Sequence, residues 1–360
     1  MNAVASVSVG VMKTTGFLTG RESVRWGIIG CGDVTEVKSG PGFQNATGSQ
    51  LVAVMRRDAT KAADYARRHG VARWYADADA LIADPEVDAV YVATPPDSHA
   101  DYALKVAAAG KPVYVEKPMA RHAAECDRMV AAFAAAQLPL FVAYYRRRLP
   151  RFLFLEELLT EGKLGQLTGV HYRFAAPFHL SANSWRVNAT SAGGGHFLDI
   201  GSHVLDLLDY LLGPLETVKG RAANLLGNYA VEDAVALNFD VAGGAHGTAT
   251  WNFTSAARDD TLRLSGTLGE VSCSVLGHET VRLETANGVE LIERKNPPHV
   301  AQPLIQSVVD DLLGRGECPS TGESARRTSV VMDAVLADYY GGRGDEFWTR
   351  PETWPGRRLG

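Results

Sequence analysis

The sequence predicts an α/β fold in two parts, a doubly wound parallel sheet followed by a unit richer in strands. Three observations predict it. Short apolar runs alternate with helical stretches through the first 146 residues, a glycine turn follows the first run, and Glu116-Lys117-Pro118 closes a later one. Open α/β sheets bind ligands at the carboxyl ends of their strands. The glycine turn therefore marks a place for a dinucleotide pyrophosphate, and Lys117 brings a chargeable amine to the same edge of the sheet.

Arg25-Trp26-Gly27-Ile28-Ile29 reads as the first strand, and Gly30-Cys31-Gly32-Asp33-Val34-Thr35 gives G-x-G-x-x-T. Gly30 permits the tight turn, Gly32 lets backbone approach a phosphate, and a helix starting at Asp33 and Val34 offers free N–H groups. Thr35 stands where Gly or Ala is usual, so looser packing of helix on strand is expected. Gly40-Pro41-Gly42 is expected to shorten or kink that helix.

Residues 50–55 read as a second strand and 59–69 as a helix stopped by Gly70. An Asp or Glu at the end of the second strand would read the ribose of NAD. Here the strand runs into Arg56-Arg57-Asp58, and guanidinium forks suit a 2′-phosphate. NADP is the expected cofactor; NAD remains the alternative, with Asp58 as the ribose partner. Residues 89–93 form a buried strand, and Thr94-Pro95-Pro96-Asp97-Ser98-His99 follows, with prolines that forbid helix and a capping Asp97 or Ser98. Thr94, Pro95 and His99 are thereby expected beside the cofactor, a helix-surface histidine being the other reading of His99. Residues 113–115 lead to Glu116 and Lys117, 122–136 form an Ala-rich helix, and 140–144 a further strand that delivers Tyr145 and the cluster Arg146-Arg147-Arg148 to the cleft.

After residue 147 the pattern changes. Residues 152–162 read as an amphipathic helix, and Gly193-Gly194-Gly195 precedes a helix in which Asp199 and His203, four apart, share one face. The triplet allows close approach of a ligand or a sharp chain reversal. Trp185 and Arg186 are candidates for a substrate wall, or else a core Trp beside a surface Arg. Strands are expected over 167–175, 218–225, 233–239, 245–253, 261–265, 271–275 and 280–283, with closing helices at 303–313 and 323–340.

On Gly30-Cys31-Gly32, Ala93-Thr94-Pro95-Pro96-Asp97-Ser98-His99, Glu116-Lys117-Pro118, Tyr144-Tyr145-Arg146-Arg147 and Gly194-Gly195-His196-Phe197-Leu198-Asp199-Ile200-Gly201-Ser202-His203, the chain resembles the Gfo/Idh/MocA oxidoreductases over residues 25–340. The resemblance implies a Rossmann domain followed by an α/β domain with an open, mainly antiparallel sheet. It implies NAD(P), a sugar or polyol substrate, and association of copies through the second domain's sheet. It also assigns catalysis to Lys117, Asp199 and His203; Arg147, at the end of the sixth strand, and Trp185 and Arg186, just before the glycine triplet, are expected on substrate from their positions. The departures are Thr35 and Tyr145, the latter where many members have Asn. Rival readings on the same fold are an NADP-sensing regulator and a glycosidase that uses bound NAD transiently.

The expected division is an unstructured extension 1–24, a dinucleotide domain 25–146, a substrate and oligomerisation domain 147–342 and a tail 343–360, whose Phe347, Trp348 and Trp354 are expected to dock. A 360-residue chain can bury two cores. Its net charge of −5 argues against general nucleic-acid binding. Four scattered cysteines show neither disulfide nor metal spacing and suit a reducing, cytoplasmic compartment. No apolar run reaches membrane-spanning length.

Overall fold

A computed structural model describes residues 15–177, 181 and 184–358. Six strands, β1 (Val24–Ile29), β2 (Ser49–Met55), β3 (Arg73–Tyr75), β4 (Ala89–Val92), β5 (Val113–Val115) and β6 (Leu140–Val142), form one parallel sheet in the order β3-β2-β1-β4-β5-β6. The central strands β4 and β5 are apolar and buried throughout, as helices on both faces require. Strand order reverses between β1 and β4, which opens a crevice at the carboxyl edge.

Helices α1 (Asp33–Val37), α2 (Ser39–Asn45), α3 (Ala59–His69), α4 (Ala78–Ala83), α5 (His99–Ala108) and α6 (Ala123–Ala136) flank this sheet. The chain breaks at Lys38, just ahead of the expected kink. Gly40 is required there because a Cβ would lie 2.1 Å from the Thr35 carbonyl oxygen. β3 and α4 are additions to the predicted elements; at three and six residues they are too short to display a period.

The second part contains α7 (Pro150–Thr160), β7 (Leu167–Ala175), α8 (Ala189–Ala192), α9 (His196–Leu212), β8 (Glu216–Ala223), β9 (Ala234–Asp240), β10 (His246–Asn252), β11 (Asp259–Gly266), β12 (Gly269–Cys273), β13 (Thr280–Thr285), β14 (Gly288–Glu293), α10 (Gln302–Leu312) and α11 (Gly322–Tyr340). Its eight strands run β14-β13-β12-β11-β7-β10-β9-β8, with β7–β10 the parallel pair among antiparallel neighbours. The sheet is open and mainly antiparallel. Alternation along β9 and β10 turns Leu237, Phe239, Ala249 and Trp251 inward, where Phe197 of α9 meets the Trp251 ring at 4.9 Å. β14, largely exposed and therefore without a clear apolar pattern, was not among the predicted strands.

Two segments depart from the expected division, and a third meets its expectation. Leu304, Ile305, Val308, Val309 and Leu312 of α10 share a core with Trp26, Phe43 and Tyr91, so α10 completes the first domain although it lies far along the chain. Of the extension expected to be unstructured, residues 1–14 lie outside the described residues. The remainder is ordered against α10: the Gly16 and Leu18 amides donate to the carbonyls of Asp311 and Leu312, each at 2.7 Å. The tail docks. Phe347 is fully buried, Trp354 donates through Nε1 to the Phe347 carbonyl at 2.9 Å, and Trp348 lies beneath the Arg121 guanidinium.

Candidate active site

The site is built on strand ends. After β1, Gly30 takes φ +92°, and a Cβ there would come within 2.7 Å of the Thr94 side chain; only glycine fits. Its N–H and that of Cys31 donate to the Met55 carbonyl at 2.9 and 3.1 Å, pinning the turn to the end of β2. At Gly32 a Cβ would meet nothing closer than 3.9 Å, which leaves the backbone open to a phosphate. Thr35 is fully buried and turns its hydroxyl back onto the turn, accepting from Gly32 N at 2.9 Å and donating to Gly32 O at 2.8 Å. Thr35 thus supplies the N3 half of a capping box, its hydroxyl meeting the backbone of the N-cap glycine. Cys31 is buried, and burial pushes its thiol up to about 11, which favours the protonated form.

A cavity of about 950 Å³ runs from this turn to the second domain. Near the glycine turn it is lined by Asp33, Val34, Arg56, Arg57, Thr94 and Pro95. Arg56 reaches the Cys31 carbonyl at 3.3 Å, and Arg57 is exposed with no ion pair among the described residues. Asp58 is engaged elsewhere, capping α3 through the Lys61 amide at 3.1 Å. His99 is a correction. It is fully buried off the cavity wall, its ring nitrogens facing the carbonyls of Thr94 at 2.7 Å and Pro118 at 3.0 Å. It ties the loop after β4 to the loop after β5, a supporting role for Lys117.

Glu116 accepts from Tyr91 Oη at 2.5 Å and from Lys117 N at 3.1 Å; burial raises its pKa, against the opposing Lys117 charge. Lys117 crosses to the second domain and forms an ion pair with Asp199 of α9. Arg186 binds the other Asp199 oxygen at 3.1 Å. Burial alone would raise the Asp199 carboxyl, but Lys117, His196 and Arg186 outweigh it and hold it well below the usual carboxylate range. His203, one turn on, lines the same cavity with its ring edge-on to Tyr145 at 5.4 Å. Burial, then the charges of Arg146, Lys117 and Lys38, keep its pKa far below the ordinary histidine value.

Helix α9 is itself anchored. Both oxygens of the fully buried Glu232 accept from Gly195 N, at 2.9 and 3.0 Å, and Tyr340 donates to the same carboxylate. The glycine triplet serves this packing and not a ligand: a Cβ at Gly193 would strike Arg121, at Gly194 Leu198, and at Gly195 Glu232. Sequence reasoning found no role for Glu232, and a lone acidic residue between strands carries no signal for one.

The arginine cluster requires the second correction. Arg147 does not face substrate. It is 2% exposed, forms a two-pronged bond with Asp206 at 2.8 and 2.6 Å and donates to the Pro319 carbonyl at 2.7 Å. Arg146 lines the cavity in its place, with Trp185 and Arg186 opposite, the Arg186 guanidinium 4.5 Å from the Trp185 ring.

A parallel sheet with a glycine turn, joined to an antiparallel domain that contributes a carboxylate and a histidine to the crevice, defines a dinucleotide-binding oxidoreductase. The family model described as oxidoreductase family, NAD-binding Rossmann fold, matches residues 24–144, and that of the GFO/IDH/MocA C-terminal domain matches residues 152–272. The chain belongs to the Gfo/Idh/MocA family of oxidoreductases. It is 37% identical over 317 residues to oxidoreductase P35 of Formosa agariphila, covering 86% of this chain and 97% of that protein. It is 29% identical to 1,5-anhydro-D-fructose reductase of Ensifer adhaerens, covering 90% and 99%. The aldose-aldose oxidoreductase of Caulobacter crescentus, solved with glycerol, is 25% identical with a TM-score of 0.79 over 87% of this chain and 96% of that one. A levoglucosan dehydrogenase in complex with NADH shares the fold at 22% identity and a TM-score of 0.80 over 87% and 96%.

Proposed function

We propose that this oxidoreductase transfers a hydride between NADP and a hydroxyl- or ketone-bearing carbon of a sugar, polyol or related cyclic substrate. The observation that carries the reading is the Lys117–Asp199 ion pair, which joins a strand end of one domain to a helix of the other, with His203 on the same cavity. Relatives named for anhydrofructose and levoglucosan support a sugar-like substrate. Open backbone at Gly32 suits a pyrophosphate, and the unpaired Arg57 suits a 2′-phosphate once Asp58 is spent as a cap; NADP is favoured over NAD for that reason.

The bound nicotinamide supplies the hydride acceptor or donor. In oxidation, His203, kept neutral by burial, takes the hydroxyl proton. Lys117 stabilises negative charge growing on the substrate oxygen, and Asp199 holds both Lys117 and Arg186 in place. The open face of the second sheet, bearing His171, Arg173, Thr248 and Thr250, is the surface through which copies associate; a solution mass of one chain would rule this out.

The function is tested by mixing the protein with each oxidised cofactor and a panel of sugars and polyols while following absorbance of the reduced nicotinamide. Reduction with NADP and at least one sugar is expected. Cofactor binding without turnover of any substrate would favour the regulator, and substrate cleavage without net reduction would favour the glycosidase.

A further inference from the structure

Arg146 is a buried cation without a counter-ion on the substrate side of the cavity. It is 7% exposed, and no carboxylate lies within ion-pair distance of it among the described residues. Among the described residues only Nε has an acceptor, the Val275 carbonyl at 3.1 Å, and Nη1 is enclosed with no partner. Its guanidinium lies 5.0 Å from the Tyr145 ring. The neighbouring carboxylate, Asp260, is taken up by the Tyr172 hydroxyl at 2.9 Å and the amides of Leu276 and Gly277 at 2.6 and 2.9 Å.

The rest of that wall leaves the charge unbalanced. Lys117 and Arg186 share the single negative charge of Asp199, and His203, held neutral by burial, adds no charge to balance Arg146. A buried guanidinium without an anion is unfavourable unless a ligand supplies one. We propose that the substrate is a sugar acid, its carboxylate received by Arg146 while a ring hydroxyl faces Lys117 and His203. Nη2, the guanidinium nitrogen that is neither bonded to Val275 nor enclosed, can give a carboxylate a charge-assisted hydrogen bond from the cavity wall. In the reaction the hydroxyl carbon is oxidised, its hydride passing to the oxidised nicotinamide and its hydroxyl proton to His203, while the carboxylate is unchanged.

This assignment rests on the hydride-transfer reading, so binding and turnover are measured separately. Glucuronate, galacturonate and mannuronate are each compared with glucose, galactose and mannose, and with glucose 6-phosphate, using the NADP-loaded protein. At least one hexuronate is expected to exceed its parent hexose in calorimetric affinity and in kcat/KM by about 10- to 100-fold. Arg146→Gln should collapse that ratio towards one through KM, and Arg146→Lys should restore part of it. Hexuronate binding that depends on Arg146 but gives no nicotinamide reduction would keep the carboxylate assignment and remove the hydride reading. Equal affinity for hexuronate and hexose, preference for the sugar phosphate, or equal loss on all sugars in both variants would overturn the assignment. So would weakened NADP binding in Arg146→Gln, which would place the arginine on cofactor.

Discussion

The two walls of the cleft are made in different ways. The cofactor wall consists of short segments that each follow a strand: residues 30–34 after β1, 56–57 after β2, 94–95 after β4 and 116–117 after β5. The substrate wall is assembled from a 3₁₀ turn at Tyr145–Arg148, the Trp185–Arg186 pair and one face of α9, held in place by residues distant in sequence. A parallel strand fixes where its end must point, so the first wall is set locally. The second depends on which side chains find partners, as the adjacent Arg146 and Arg147 show.

The sharpest contrast lies in those arginines, and the largest expected effect tests it. Arg147→Met leaves Asp206 buried without its counter-ion, a loss of about 3–5 kcal/mol, against little change in stability for Arg146→Gln. Denaturant melts of both variants measure this. Burial already raises Asp206 despite Arg147, so the folded state holds that proton more tightly than the unfolded chain. Stability from this group therefore falls as pH rises from the ordinary carboxylate range through the raised value, and the Arg147→Met penalty should be smaller at acidic pH. Equal melts for the two variants would erase the distinction between them.

Next in size is Lys117→Met, which links the walls. The stem's packing is kept and Asp199 retains Arg186, so folding and NADP affinity should survive. Removing one preorganised donor to a developing oxyanion costs about 2.7–4 kcal/mol, or 10²–10³ in kcat. A rise in KM with kcat preserved would instead make Lys117 a binding residue.

How much was legible follows the same divide. Gly30, Lys117 and the Asp199–His203 pair could be read because strand ends and an i, i+4 spacing constrain them locally. His99 misled because its position at a strand end is right and its orientation is not: two carbonyls pull it inward. The arginine cluster could not be phased. In a 3₁₀ turn successive side chains diverge by about 120°, so Arg146, Arg147 and Arg148 reach the cavity, Asp206 and the Glu317 carbonyl respectively. Nor could α10 be assigned to the first domain, because its apolar stripe fits either core equally well and only tertiary packing against Phe43 decides.

The smallest expected effect sharpens the cofactor wall, where local reading should be most dependable. Arg56 is partly committed to the Cys31 carbonyl, whereas Arg57 is exposed and unpaired among the described residues, so Arg57 is the better placed to meet a 2′-phosphate. A charge-assisted hydrogen bond of that kind contributes roughly 1.5–3 kcal/mol, or about one to two decades of affinity. Arg57→Ser should weaken NADP by that factor and leave NAD nearly unchanged, because NAD has no phosphate for the guanidinium to lose. The bond is partly exposed, so the difference should shrink in high salt. Calorimetric titration of both cofactors into both proteins reads all of this. Should wild type bind NAD as tightly as NADP, the arginines face solvent, and the ribose is read by a group that the strand-end argument does not identify.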